Sequence, residues 1–185
     1  MMLGSLTLKQ DVLNGTYLSD LVLMAESCFK AIKGGGKIFF CGNGGSAADA
    51  QHLAAELIVR LRSQVERPSL PGLSLAMDTS TLTACGNDYG YEHIFARSLS
   101  GLGKKGDVLL VISTSGRSPN ILRALEMANS MGVLTMGLLG GDGGPALNLC
   151  EHKVVIPSQN TARIQEVHIT LGHILMELIE DRFVL

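Results

Sequence analysis

Two short loops carry residue types that could hold a phosphate. Gly42-Asn43-Gly44-Gly45-Ser46-Ala47 follows the apolar run 37–41, and Ser113-Thr114-Ser115-Gly116-Arg117-Ser118-Pro119 follows the run 107–112. Each has the form of a strand that ends in a small-residue turn and opens a helix. There, unpaired backbone N–H groups and the positive end of the helix dipole converge on an anion. In the second loop Ser118 stands as the helix N-cap and Pro119 as the first helical residue, so Ser113, Thr114, Ser115 and Ser118 can turn hydroxyls inward. Such a cup binds phosphate without a lysine, although the same residues also suit an ordinary serine-rich turn.

The first loop admits a rival chemistry. Gly42, Gly44 and Ala47 fit the G-x-G-x-x-G/A pattern of dinucleotide-binding folds, and Asp78 ends the next apolar run where a ribose-binding acid would sit. Asp78 lies over 30 residues past the glycines, against about 20 in that motif. A nucleotide-hydrolysing P-loop is disfavoured because no Gly-Lys-Ser/Thr follows.

The elements that must position these loops alternate. Apolar residues at Leu18, Leu21, Val22, Ala25, Phe29 and Ile32 repeat at helical spacing, and Gly34-Gly35-Gly36 stops that helix. Short apolar runs at 37–41, 73–77, 107–112, 133–138 and 152–156 read as five strands. Helical patterns begin near Gly45, Glu92 and Ser118, a shorter one near Pro145, and a long last helix spans about 161–183. The expected fold is α/β: a doubly wound, five-stranded parallel sheet covered on both faces, with long N- and C-terminal helices, forming one domain over 1–185.

Composition narrows the function classes. A length of 185 residues with 46% hydrophobic content suits a compact core, and a formal charge of −2 with scattered Lys and Arg gives no basic face for nucleic acid. No apolar run approaches the roughly 18 residues of a membrane span. Cys28, Cys41, Cys85 and Cys150 form no CxxC pair and read as buried free thiols. A cytoplasmic protein without nucleic-acid or membrane partners is the expectation.

The Gly-Asn-Gly-Gly-Ser loop, the Ser-Thr-Ser-Gly-x-Ser loop and the strands around them resemble the sugar isomerase (SIS) fold, a flavodoxin-like arrangement, from the first helix to the C-terminus. Within that family, Gly86-Asn87-Asp88-Tyr89-Gly90, the segment from His52 to Glu56, and Ala162-Arg163-Ile164-Gln165-Glu166-Val167-His168 resemble the phosphoheptose isomerases. The resemblance implies conversion of sedoheptulose 7-phosphate to D-glycero-D-manno-heptose 7-phosphate, a precursor of bacterial surface polysaccharide. It also implies a homotetramer with one zinc per subunit on His52, Glu56, Gln165 and His173, and Glu56 and His173 as the acid–base pair. Ser46, Ser113, Thr114, Ser115 and Ser118 would hold the phosphate of the substrate, with Asn43 and Gly45 shaping the first turn and Gly44 part of the same substrate-binding loop. Asp78, Asn87, Asp88, Glu56 and Gln165 would contact its sugar. Ala162 departs from the acidic residue that some members carry there.

The residues suit that chemistry. Moving a carbonyl to the adjacent carbon requires a base, an acid and an electrophile to stabilise the enediolate. His52 and Glu56, four apart on the helix opened by the first loop, share one face. Gln165 and His173, eight apart, lie about 80° from each other around the last helix. Imidazole and carboxylate are ordinary zinc donors, and glutamine is an unusual one. By spacing alone, His52 and Glu56 also suit a surface pair, Asp78 a helix cap, and Asn87 and Asp88 a turn. His168 is a candidate partner for Gln165, while His93 and His152 read as structural. A non-catalytic relative, a sugar-phosphate sensor or a factor that assists replication initiation, would keep the loops but lack the set His52, Glu56, Gln165 and His173.

Overall fold

The computed structural model describes residues 2–15 and 17–184. Helices α1 (Met2–Asn14) and α2 (Tyr17–Lys33) precede strand β1 (Ile38–Gly42) and helix α3 (Gly45–Ile58). Then come β2 (Gly72–Ser74), α4 (Thr79–Asp88), α5 (Ile94–Leu102), β3 (Val108–Ser113), α6 (Pro119–Met131), β4 (Leu134–Gly140), β5 (His152–Ile156) and α7 (Thr161–Glu180). The five strands are parallel, in the order β2-β1-β3-β4-β5. As expected, both faces are covered: Ile38, Phe40, Leu110 and Leu138 pack under α2, α3 and α7, while Phe39, Leu109, Val111 and Leu139 pack under α4, α5 and α6. Alternation of side chains across each strand sends neighbours in sequence to opposite layers.

The strand order explains the position of the two loops. β1 and β3 are neighbours, with Ile38 opposite Val108 and Gly42 opposite Ile112. The chain leaves β1 toward β2 on one side, and β3 leads on to β4 on the other. At this switch point the loops diverge from the carboxyl ends of the strands and leave a crevice, the place where open α/β sheets bind ligands.

Three sequence expectations need correction. The second strand is Gly72–Ser74 rather than 73–77, because the chain turns at Leu75 and Ala76 once Leu75 N–H has bonded the Phe40 carbonyl at 2.9 Å. Helix α4 has no counterpart among the expected helices. Its Thr-Ser-Thr-Leu-Thr start lacks an apolar stripe, and only Cys85 of it is buried. Helix α1 precedes the expected N-terminal helix, whose own stripe is only half covered: Leu21 and Ala25 are buried while Leu18 and Val22 are exposed. All four cysteines are free and buried. Among the described residues, no helix is long and apolar enough to cross a membrane.

His168 lies on α7, fully buried, with Nε2 at 3.0 Å from the Leu139 carbonyl and Nδ1 without a partner among the described residues. It bonds the end of β4 and not Gln165, so it is no partner of that side chain. Burial pushes its pKa from 6.5 down to about 4, against a smaller opposing effect of the Leu139 carbonyl. The unfolded chain therefore binds this proton near pH 6.5 and the folded chain only near pH 4. Stability at neutral pH is unaffected and falls as pH drops through this window, by about 3 kcal/mol at its lower end. Urea unfolding at pH 7, 5.5 and 4 should show that loss in the parent and a shallower one in His168→Gln.

Candidate active site

The first loop makes its turn through Gly44, whose φ of 57° is left-handed and suits glycine, and α3 starts at Gly45. Ser46 is 6% exposed, with a hydroxyl that has no partner among the described residues. In the second loop the Ser113 hydroxyl accepts from Gly116 N–H at 3.0 Å and the Ser115 hydroxyl from Arg117 N–H at 3.3 Å. Both hydroxyl protons stay available to a ligand. Ser118 is the N-cap of α6 and Pro119 its first residue, as expected, yet the Ser118 side chain makes no capping bond. A hydroxyl at a helix start that does not serve the helix is free to serve an anion. Thr114 and Ser115 also border a cleft of about 210 Å³ that runs to Gly140, Gln159 and Thr161.

Asn43 ties the loops together and does not point a free amide at a ligand. Its Nδ2 donates to Asn120 Oδ1 and its Oδ1 accepts from Asn120 Nδ2, both at 2.8 Å, and Tyr91 OH donates to the same Oδ1 at 3.0 Å. Asn120, in the first turn of α6, is buried. This reciprocal amide pair fixes the distance between the two helix starts. Neither Asn120 nor Tyr91 is among the expected residues, since nothing in a lone Asn after Ser-Pro signals a partner 77 positions away.

One face of α3 carries Gly45, Asp49, His52 and Glu56, and meets α7 at Gln165 and His173. His52 Nε2 lies 2.9 Å from His173 Nε2 and 3.3 Å from Glu56 Oε1. The two imidazoles meet edge to face, with centroids 5.1 Å apart. Two nitrogens at that distance share a single proton, one donating and one accepting. Glu56 Oε2 is buried and has no hydrogen-bond partner among the described residues. Gln165 Nε2 donates to Asp49 Oδ2 at 3.5 Å, and Gly45 gives that amide its space: a Cβ at 45 would stand 2.7 Å from Gln165 Cδ. Asp49 is 8% exposed; burial raises its pKa, opposed by the Gln165 hydrogen bond and by the charges of His52 and His173. The period of α3 could have revealed Asp49, because it falls on the stripe that His52 and Glu56 define.

The structure thus brings His52, Glu56 and His173 into contact and sets Gln165 against Asp49, three residues before His52 on α3. Among the described residues, no group of three or more His, Cys, Asp and Glu stands in a metal-holding arrangement. The donor chemistry nevertheless fits zinc: two imidazole nitrogens, an amide oxygen, and a carboxylate whose buried second oxygen has no partner, a cost that a cation relieves.

The remaining expected residues stand apart. Asp78 lies in the turn after β2 and caps α4, accepting from Ser80 N–H at 3.0 Å and from the Thr81 hydroxyl. The Thr81 side chain, more than any other contact, holds its pKa below the ordinary value. Asn87 and Asp88 close the same helix, bonded to each other at 2.8 Å and exposed. No hydrogen bond or ion pair among the described residues joins these three to the loops or to the His52 cluster.

Comparison with known proteins identifies the family and the fold. The SIS domain family matches residues 9–140. A phosphoheptose isomerase of a Nitratiruptor species is 58% identical over 156 residues, 84% of this chain and 82% of that protein. The solved phosphoheptose isomerase of Francisella tularensis superposes with a TM-score of 0.92 at 37% identity, covering 97% of this chain and 94% of that one. That of Neisseria gonorrhoeae gives 0.90 at 39% identity, covering 97% and 95%. The chain belongs to the SIS domain family and, within it, to the phosphoheptose isomerases, which makes it a sugar-phosphate isomerase.

Proposed function

We propose that the substrate is sedoheptulose 7-phosphate and the product D-glycero-D-manno-heptose 7-phosphate, a precursor of activated heptose for surface polysaccharide. The observation that carries this reading is the buried Glu56 Oε2, without a partner among the described residues, beside the His52–His173 pair on the helix that the first phosphate-type loop opens. Ser46, Ser113, Thr114, Ser115 and Ser118 bind the phosphate and orient the sugar chain. Glu56 and His173 form the acid–base pair: one takes a proton from the carbon beside the carbonyl, and the other delivers a proton as the carbonyl moves. When bound on His52, Glu56, Gln165 and His173, one zinc per subunit supplies polarisation of the sugar oxygens. The hydroxyls and the Asn43–Asn120 pair act before chemistry, by fixing where the reacting carbons stand relative to Glu56.

The active form is a homotetramer. Leu3 and Leu6 on α1 and Leu18, Val22 and Leu23 on α2 remain exposed, a run of apolar surface that a second copy would cover. The substrate assignment is tested by proton NMR of the protein with sedoheptulose 7-phosphate and zinc in deuterated water. Aldose formation with deuterium at the carbon next to the carbonyl is expected. Absence of both would overturn the assignment and favour a sugar-phosphate sensor.

A further inference from the structure

Glu56 sits in the last turn of α3, where a helix is least secure. The final carbonyls of a helix have no N–H partner in the next turn, and such ends fray unless something else holds them. In α3 the Glu56 carbonyl is held by Arg67 and the Leu57 carbonyl by Arg67 together with Leu70 N–H at 3.0 Å, both from the loop that follows. Arg67 Nη2 donates to the Glu56 carbonyl at 2.6 Å and its Nη1 to the Leu57 carbonyl at 2.9 Å, with a further bond from Nη1 to the Pro68 carbonyl at 2.8 Å. The remaining edge of the guanidinium turns to α7: Nε donates to Glu180 Oε1 at 3.1 Å. The Arg67 and Glu180 side chains are 1% and 2% exposed, so this is a buried ion pair. Glu180 also accepts from Leu61 N–H at 3.2 Å and from Arg62 Nε at 2.8 Å.

The other end of the clamp lies on the element that carries His173. Glu180 comes seven residues after His173, nearly two full turns, so the two share a face of α7 about 10 Å apart along its axis. One guanidinium therefore spans the backbone of one member of the acid–base pair and the helix of the other. We infer that Arg67 is a positioning residue for the reaction, holding Glu56 at the frayed end of α3 in register with His173 on α7 through Glu180. The inference rests on the proposed pairing of Glu56 with His173. Arginine suits the task and lysine does not, because a planar fork can cap two carbonyls and face a carboxylate at once, whereas an ammonium is a single point donor.

The discriminating variant is Arg67→Lys, which keeps the charge opposite Glu180 and loses the carbonyl caps. Its kcat and KM with sedoheptulose 7-phosphate, its zinc affinity read with a chelating indicator, and its melting temperature are measured beside the parent. The expected result is a folded protein with kcat lowered about 10-fold or more, KM within about twofold, and zinc bound about 10–100-fold more weakly, the range for residues that orient ligands without touching the metal. Parental kcat and parental zinc affinity in folded Arg67→Lys would overturn the inference. If the parent itself shows no turnover, the substrate reading fails separately, and the zinc affinity still decides the role of Arg67. Should Arg67→Lys not fold, the double variant Arg67→Met with Glu180→Leu buries no unpaired charge and is held to the same two readings.

Discussion

Glu56→Gln should turn over sugar phosphate about 10²–10⁴-fold more slowly than the parent, the range for loss of a positioned general base. Glutamine keeps the size and position of the side chain but removes the basic oxygen pair, of which Oε1 lies 3.3 Å from His52 Nε2 and Oε2 has no partner among the described residues. The fold should tolerate the change, because no hydrogen bond to Oε2 is lost and the loop clamp on this residue is to its backbone carbonyl. The measurement is deuterium uptake and aldose formation in one NMR time course, with a thermal melt in parallel. Both signals should fall together while the melt stays near that of the parent. Retained turnover would remove Glu56 from the acid–base pair.

Gly45→Ala should separate activity from stability. The new Cβ meets the end of the Gln165 side chain, 2.7 Å from Cδ, and its three nearest atoms all belong to that flexible side chain. Gly45 is the first residue of α3 and has no positive φ, so alanine fits the backbone and favours the helix. The cost falls on the site: Gln165 must give up its hydrogen bond to Asp49, three residues before His52 on the same helix. A displacement of about 1 Å in such a group costs on the order of 10²-fold in rate. Steady-state kinetics should show that loss in kcat, with a melting temperature equal to or above the parent's. A fully active Gly45→Ala would mean that Gln165 does not need its present position.

The parts of this protein legible in the sequence are those set by local chemistry. The fifth strand falls at 152–156 as expected, and β3 and the start of α6 fall within a residue, because β-branched runs and the Ser118-Pro119 start are self-sufficient signals. Two loops suited to phosphate are visible for the same reason. Illegible are α4, whose weak helix formers are held by the Asp78 cap, and the early end of β2, an edge strand paired on one side only.

The site divides in the same way. Sequence places His52 and Glu56 on one helical face, since residues four apart must share it. It does not tell that His52 Nε2 reaches His173 Nε2 across 121 positions, that Asn43 is bound to Asn120, or that Arg67 joins the end of α3 to Glu180. Those contacts exist because the order β2-β1-β3-β4-β5 sets β1 beside β3 and packs α3 and α7 on one face of the sheet. Spacing along a helix is fixed by its own hydrogen bonds, whereas the distance between two helices is fixed only by the sheet on which both are packed.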